Sequence, residues 1–369
     1  LSVLQYRVTA VAGNYTDGEE KAIPVLTNRM MVTESLPLPV RGKGTFSFSF
    51  DKLLNQGKTD STLKNYKLTL EFASNPAWYA IQALPSLDDQ PYEHADAIFA
   101  KYWTNSLAAF IANSNPKIKA VFESWKSLTP DALQSNLAKN QQLKSALLQE
   151  TPWVTEALNE TGRKQKLGLW FDQDNLAQNL KEGLLKLQRL QSPNGGWTWF
   201  PGMPENRYIT QNILTGLGKL HHLGVAKVMG DPVSRSMVLK AIGFLDGELL
   251  KDLSHLKKNN PSYLKENHLG NTQVQYLYAR SFFMNDPAVS LPVVAPGFDE
   301  AFGYYKEQAS KYWAGNERSL QAMIALALNR TGNRDVPQLI MKSLAEKALR
   351  SNEMGMYWAH ESGYYWYQA

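Results

Sequence analysis

The chain has 369 residues, of which 43% are hydrophobic and 20% charged, enough to bury a large core in two or three domains of about 100 to 200 residues each. It has no cysteine, which excludes disulfides, cysteine-ligated zinc or iron–sulfur centres and any mechanism that uses a thiol. The net charge is +5, but lysine and arginine are scattered, so a nucleic-acid partner is not indicated.

Residues 1–75 carry the pattern of β-strands. Apolar residues alternate with other residues in three runs, which contain Tyr6, Phe48 and Leu68. Glycine, asparagine and proline residues typical of turns separate these runs. We therefore predict a small antiparallel β domain over residues 1–75. Because the chain opens on Leu1 directly in a strand pattern, we also expect it to be part of a longer protein.

From residue 76 onward the apolar residues repeat at a helical period. The run Asp89-Gln90-Pro91 is typical of a helix start, and an apolar stripe follows from Ala95. A leucine stripe from Leu176 to Leu190 predicts a second helix, which ends before Gly195.

Three later segments look alike when they are aligned on Gln211, Gln273 and Gln321. Each separation is long enough for two helices and their turns. Paired helices that repeat in this way favour an α/α toroid or solenoid over an up-and-down bundle. The predicted fold is therefore mainly α, an α/α toroid over residues 76–369 preceded by the smaller β domain.

Several motifs together form a distinctive set. They are Y-T-D-G-E-E-K-A-I-P from Tyr15, N-P-A-W-Y-A-I-Q-A-L-P from Asn75, Q-P-Y-E-H-A-D-A from Gln90, L-Q-S-P-N-G-G-W-T-W-F from Leu190 and Y-I-T-Q-N-I-L-T-G-L-G from Tyr208. The set resembles bacterial alpha-2-macroglobulin-like proteins over most of the chain. The resemblance implies a partial CUB-like domain followed by a thioester-type toroid that is incomplete at its C-terminus. It also implies an endopeptidase inhibitor of the cell envelope or periplasm.

The resemblance fails at the reactive quartet. Thioester-bearing members of that family have Cys-x-Glu-Gln where this chain has His94, Ala95, Asp96 and Ala97. With neither a sulfur nor an amide side chain at these positions, the thioester cannot form. The resemblance therefore implies a non-catalytic body that helps to trap proteases by a change of conformation. Its partners would be proteases and neighbouring domains of the same chain, and any membrane anchor would lie outside these 369 residues.

One interpretation is that Glu93, His94 and Asp96 form a metal site or an acid–base site. His221 and His222 would then contribute from another segment of the chain. Their spacing does not favour it, because Glu93 and His94 are about 100° apart on a helix and no H-E-x-x-H pattern occurs. We predict no metal and no cofactor. His94 is expected to be a neutral hydrogen-bonding group that fills the former thioester pocket, and the histidine pair to end a helix.

Two aromatic clusters lie beside glycines: Trp197, Trp199 and Phe200, and then Tyr357, Trp358, Tyr364, Tyr365 and Trp366. We expect them to plug the centre of the toroid. The alternative is a cavity for a glycan or a polyprenyl chain, in a binding module or an enzyme. Gln191, Gly195 and Trp197 also match the Q-x-x-x-G-x-W repeat of terpene cyclases, but the D-x-D-D acid motif of those enzymes is missing. We therefore predict no enzymatic activity, and a scaffolding role in an envelope complex stays open.

Overall fold

The computed structural model of the protein describes residues 2–25, 32, 34–40, 42–55, 62–65, 68, 70, 72, 77–88, 92–126, 167–285, 296–351 and 355–359. This part of the chain is mainly helical, as predicted, with two small antiparallel sheets. The chain divides into two compact units. One consists of Leu1–Phe72 and Val121–Leu169, and the other of Ala73–Ala120 and Trp170–Ala369. The predicted boundary between residues 75 and 76 stays a prediction.

In the first unit, strands β1 (Ser2–Ala12) and β2 (Tyr15–Val25) form an antiparallel hairpin. The turn begins at Gly13, whose φ of 62° lies in the left-handed region that glycine adopts without strain. Its register pairs Ala12 with Tyr15 at the turn. A single helical turn, α1 (Asp51–Leu54), follows later in the chain.

The prediction of strands around Phe48 and Leu68 is wrong for the residues that the structure describes. Residues 45–50 are not part of a strand, and neither are Leu68, Leu70 and Phe72. Alternation at period two predicts an extended segment with two different faces, but a strand also needs a hydrogen-bonded partner. In the described part of this unit, only β1 and β2 supply such partners to each other.

The further α-helices follow in chain order. They are α2 (Ala77–Asp88), α3 (Ala95–Ser114), α4 (Pro116–Lys126), α5 (Gln173–Leu190), α6 (Arg207–His222), α7 (Pro232–Asn259), α8 (Asn271–Ser281), α9 (Phe298–Tyr312), α10 (Arg318–Arg330) and α11 (Asp335–Glu346). The side chains of Asp172, Asn206 and Asp231 cap α5, α6 and α7, because each accepts a backbone N–H of the first turn. A short second hairpin, β3 (Leu349–Ser351) and β4 (Gly355–Tyr357), follows α11.

The helices of the second unit pack in two series. Alternate helices contact one another in the order α3, α6, α8 and α10, and a second series runs through α5, α7 and α9. Gly216 of α6 lies against the ring of Phe99 on α3, where an added Cβ would be 2.2 Å from the ring. Small residues at such crossings let the helix backbones approach closely, and a shared apolar core fills the space between the series.

The three aligned glutamines serve the packing of these helices. The side-chain amide of Gln211 donates to the carbonyl oxygen of Thr272 at 3.0 Å, which ties α6 to the start of α8. Gln321 donates to the carbonyl oxygen of Asn316 at 2.7 Å, and Gln273 donates to the carboxylate of Asp252 at 2.8 Å. Each bond satisfies a polar group near the start of a helix.

Within the described part of the chain, none of the helices combines the length and the apolar character that crossing a bilayer requires.

Candidate functional site

The four positions that match the thioester quartet lie at the start of α3. The helix begins at Ala95 and not at the predicted Asp89-Gln90-Pro91, so Glu93 and His94 precede it instead of lying in its first turn. His94 has extended backbone angles and is the N-cap, because its Nδ1 accepts the N–H of Ala97 at 3.2 Å. Nδ1 therefore carries no proton, and the remaining ring proton lies on Nε2.

The side chains beside His94 are held by partners on other helices. Asp96 accepts a hydrogen bond from Asn212 of α6 at 2.6 Å. Glu93 forms an ion pair with Lys186 of α5, which also pairs with Glu182 at 2.8 Å. The hydrogen bonds from Lys186 raise its own pKa and lower that of Glu182. The start of α3 is thus joined to both neighbouring helices.

An aromatic turn, residues 197–203, closes over the start of α3. The backbone N–H of Ala95 donates to the carbonyl oxygen of Trp199 at 2.9 Å. The ring of Phe200 meets the imidazole of His94 edge to face, with centroids 5.7 Å apart. Trp199 stacks on Tyr208 with centroids 6.3 Å apart, and burial raises the pKa of Tyr208.

The two groups of candidate residues are therefore brought together: the quartet 94–97 and the first aromatic cluster at Trp197, Trp199 and Phe200. Trp197 is fully buried, and its indole N–H donates to the carbonyl oxygen of Leu187 at 2.9 Å. Phe200 remains 40% exposed. This cluster thus supplies one core residue and one ring at the surface.

The second aromatic cluster lies on other elements. Tyr357 belongs to β4, and the indole N–H of Trp358 donates to the carbonyl oxygen of Leu344 on α11 at 2.8 Å. Trp358 is 43% exposed. Tyr364, Tyr365 and Trp366 lie outside the described residues, as does Pro91.

His221 and His222 lie in the last turn of α6, where a positive charge complements the helix dipole. His222 packs edge to face against Phe282, with centroids 6.0 Å apart. In the described ranges, no three histidine, aspartate or glutamate side chains come together as metal ligands would.

The Q-x-x-x-G-x-W motif fixes a turn against α7. The amide of Gln191 donates to the carbonyl oxygens of Gly195 at 2.9 Å and Met237 at 2.8 Å. Gly195 has a φ of 100°, and a Cβ there would lie 2.0 Å from the backbone oxygen of Lys240. Both the left-handed backbone and the close approach require glycine, so this motif has a structural role here.

Sequence reasoning missed a buried polar cluster formed by Asp246, Tyr276 and Arg280. Asp246 accepts hydrogen bonds from the hydroxyl of Tyr276 at 2.6 Å and from Nε of Arg280 at 3.2 Å. Burial raises the pKa of both Asp246 and Tyr276. Arg280 is fully buried, and among the described residues neither of its terminal nitrogens has a hydrogen-bond partner. The spacing of Tyr276 and Arg280, which puts both on one face of α8, was the available signal.

The side chains of His94 and Asp96 form hydrogen bonds that hold the start of α3 in place. They are not arranged as the thioester of the resembled family would require. Ala95 and Ala97 carry no functional group, Nδ1 of His94 is occupied by a backbone N–H, and Asp96 is hydrogen-bonded. No family model matches the chain, and a search of the curated proteins found no match either.

Proposed function

We propose that the chain is part of an alpha-2-macroglobulin-like endopeptidase inhibitor that works without a thioester and traps proteases by a change of conformation. The carrying observation is the hydrogen bond between His94 and Ala97. These are the positions at which the thioester-bearing relatives have Cys and Gln. A thioester would join side chains three residues apart, and positions 94 and 97 lie within one helical turn, where Nδ1 of His94 accepts the backbone N–H of Ala97 at 3.2 Å.

The packing of the second unit supports the toroid part of this proposal. The helices α3, α6, α8 and α10 contact one another in turn, while α5, α7 and α9 form a second series. Alternation of an inner and an outer helix is the arrangement of an α/α toroid or solenoid, in which each helix pair packs on the next.

The proposed mechanism is noncovalent. No cysteine is available to form an acyl bond, and the start of α3 is closed by hydrogen bonds and ring contacts instead. Residues 76–369 would then move as a body after a protease cleaves a bait segment elsewhere in the protein. Proteases and neighbouring domains are its proposed partners, in the cell envelope or periplasm.

The test uses the intact natural protein that contains this chain. It is incubated with an endopeptidase, and the remaining activity is measured on a large protein substrate and on a small peptide substrate. Trapping predicts that only cleavage of the large substrate is suppressed. Pretreatment with methylamine, which opens thioesters, should leave the suppression unchanged. The proposal would be contradicted if cleavage of the large and the small substrate were suppressed to the same degree, or if methylamine abolished the inhibition.

A second candidate is a glycan- or polyprenyl-binding module that uses the aromatic turn. It is favoured by the stacked pair of Trp199 and Tyr208 beside Phe200, which is 40% exposed, because aromatic faces stack on sugar rings. Titration of the chain with oligosaccharides and with polyprenyl phosphate by calorimetry tests it. Binding that W199A abolishes and W358A retains would support this candidate. Absence of binding by the wild-type chain would remove it.

A further inference from the structure

A groove of about 360 Å³ lies where the chain enters α7. We call it the cationic groove, and it is lined by Met229, Gly230, Pro232, Arg235, Ser236, Leu239 and Lys240. Its apolar surface comes from Met229, Pro232 and Leu239, and its charge from Arg235 and Lys240. A volume of this size is at the lower end of the range for ligand sites, about 300–1,000 Å³.

The frame of the cationic groove is held by hydrogen bonds. The N–H of Gly230 donates to the carbonyl oxygen of Lys227 at 3.0 Å. The hydroxyl of Ser234 donates to the carbonyl oxygen of Val228 at 2.7 Å, and its N–H donates to Asp231 at 2.8 Å. Because these bonds fix the turn on the first residues of α7, the groove is formed before any ligand arrives.

The segment of α7 that follows these residues is fixed as well. Gln191 donates to the carbonyl oxygen of Met237, and the backbone of Gly195 lies directly against that of Lys240. The Q-x-x-x-G-x-W motif therefore holds the part of α7 that lines the groove. Because this part of α7 is already rigid, less conformational entropy is lost when a partner binds in the groove.

Three cations around the cationic groove have no ion-pair partner in the part of the chain that the structure describes: Lys227, Arg235 and Lys240. Asp231, the residue before Pro232, caps α7 and supplies one carboxylate beside these three cations. Lys227 and Lys240 are exposed, and Arg235 is half-buried. The groove thus combines apolar side chains with an excess of cationic over acidic groups, which complements a carboxylate-bearing ligand.

We propose that the cationic groove is a docking site for an acidic peptide segment of a partner protein. A leucine-like side chain of that segment lies on Met229 and Leu239, and the flanking carboxylates meet Arg235 and Lys240. The limited volume suits one or two side chains rather than an extended lipid or nucleic-acid surface. This site is independent of the His94 region and of protease trapping.

The probe is a fluorescein-labelled peptide of alternating glutamate and leucine, titrated with the full chain and followed by fluorescence anisotropy. Two related peptides replace glutamate by glutamine or leucine by serine. The double variant R235E/K240E should bind the first peptide at least about tenfold more weakly than the wild type, since two attractions become repulsions. The control K251E/K258E changes the net charge by the same amount on the same helix and should stay within about twofold.

Both neutral substitutions in the peptide should weaken binding, the glutamine peptide most. Circular dichroism melts check that the variants fold. The proposal is overturned if the wild type does not bind the acidic peptide, or if both double variants lose affinity equally. It is also overturned if vesicles of anionic phospholipid bind the chain through Arg235 and Lys240 and displace the peptide. The groove would then bind any negatively charged surface and would not be specific for an acidic peptide.

Discussion

Replacing Gly216 by alanine should destabilise the second unit, although alanine is the better helix former. The added Cβ would lie 2.2 and 2.3 Å from two ring carbons of Phe99, whereas carbon atoms in contact are about 3.5–4.0 Å apart. Phe99 is only 6% exposed, so its ring must move by about 1.3 Å within a packed core. Overpacking of this kind costs about 1–3 kcal/mol.

The matched control is G243A, in the interior of α7, where a Cβ would meet nothing within 4 Å. Both substitutions gain the same helix propensity, about 1 kcal/mol, so the difference between the two variants isolates the steric cost of about 1–3 kcal/mol. Urea unfolding followed by circular dichroism measures both. In an F99L background, which removes ring atoms from the contact, the penalty of G216A should shrink. Equal stabilisation by G216A and G243A would refute the packing of α3 on α6.

Three further predictions concern polar groups. H94A should lower the stability by about 1 kcal/mol through loss of the helix cap, while H94N should retain most of it; equal thermal midpoints for wild type and H94A would contradict the cap. R280M leaves Asp246 buried without its charge partner and should cost about 3–5 kcal/mol in urea unfolding, whereas R280M/D246L should recover much of that loss. Because burial raises the pKa of Asp246, the folded chain binds its proton more tightly than the unfolded chain, and the stabilising contribution of this group falls as the pH rises above about 4. The difference in unfolding free energy between wild type and D246N should therefore decrease from about pH 4 upward, and a constant difference would exclude this coupling.

The helical part of the fold follows from local patterns. The leucine stripe from Leu176 to Leu190 predicts the extent of α5 well. Apolar residues at the helical period form one continuous face only when the segment is an α-helix, and burial of that face stabilises the helix. The strands around Phe48 were predicted wrongly, since alternation specifies the faces of a strand but not the presence of a partner.

The candidate site could be predicted only by position. The motif located His94 and Ala97, yet the Asp89-Gln90-Pro91 pattern misplaced the start of α3, which begins at Ala95 directly after its cap His94. The pairing of His94 with Phe200 and the burial of Asp246 beside Arg280 depend on residues far apart in the sequence. Neither hydropathy nor spacing within one segment carries that information.

The contact of Gly195 with Lys240 separates two kinds of constraint on sequence variation. Position 195 tolerates no side chain, because the neighbouring atom is a backbone oxygen that every residue at position 240 would present. Stability therefore fixes glycine at one end of the contact and leaves the side chain at the other end free. If all substitutions at both positions were selected for folding, variants at position 195 would be lost and variants at position 240 would be kept. A preference for lysine at position 240 would therefore indicate binding to a partner and not a requirement of the fold.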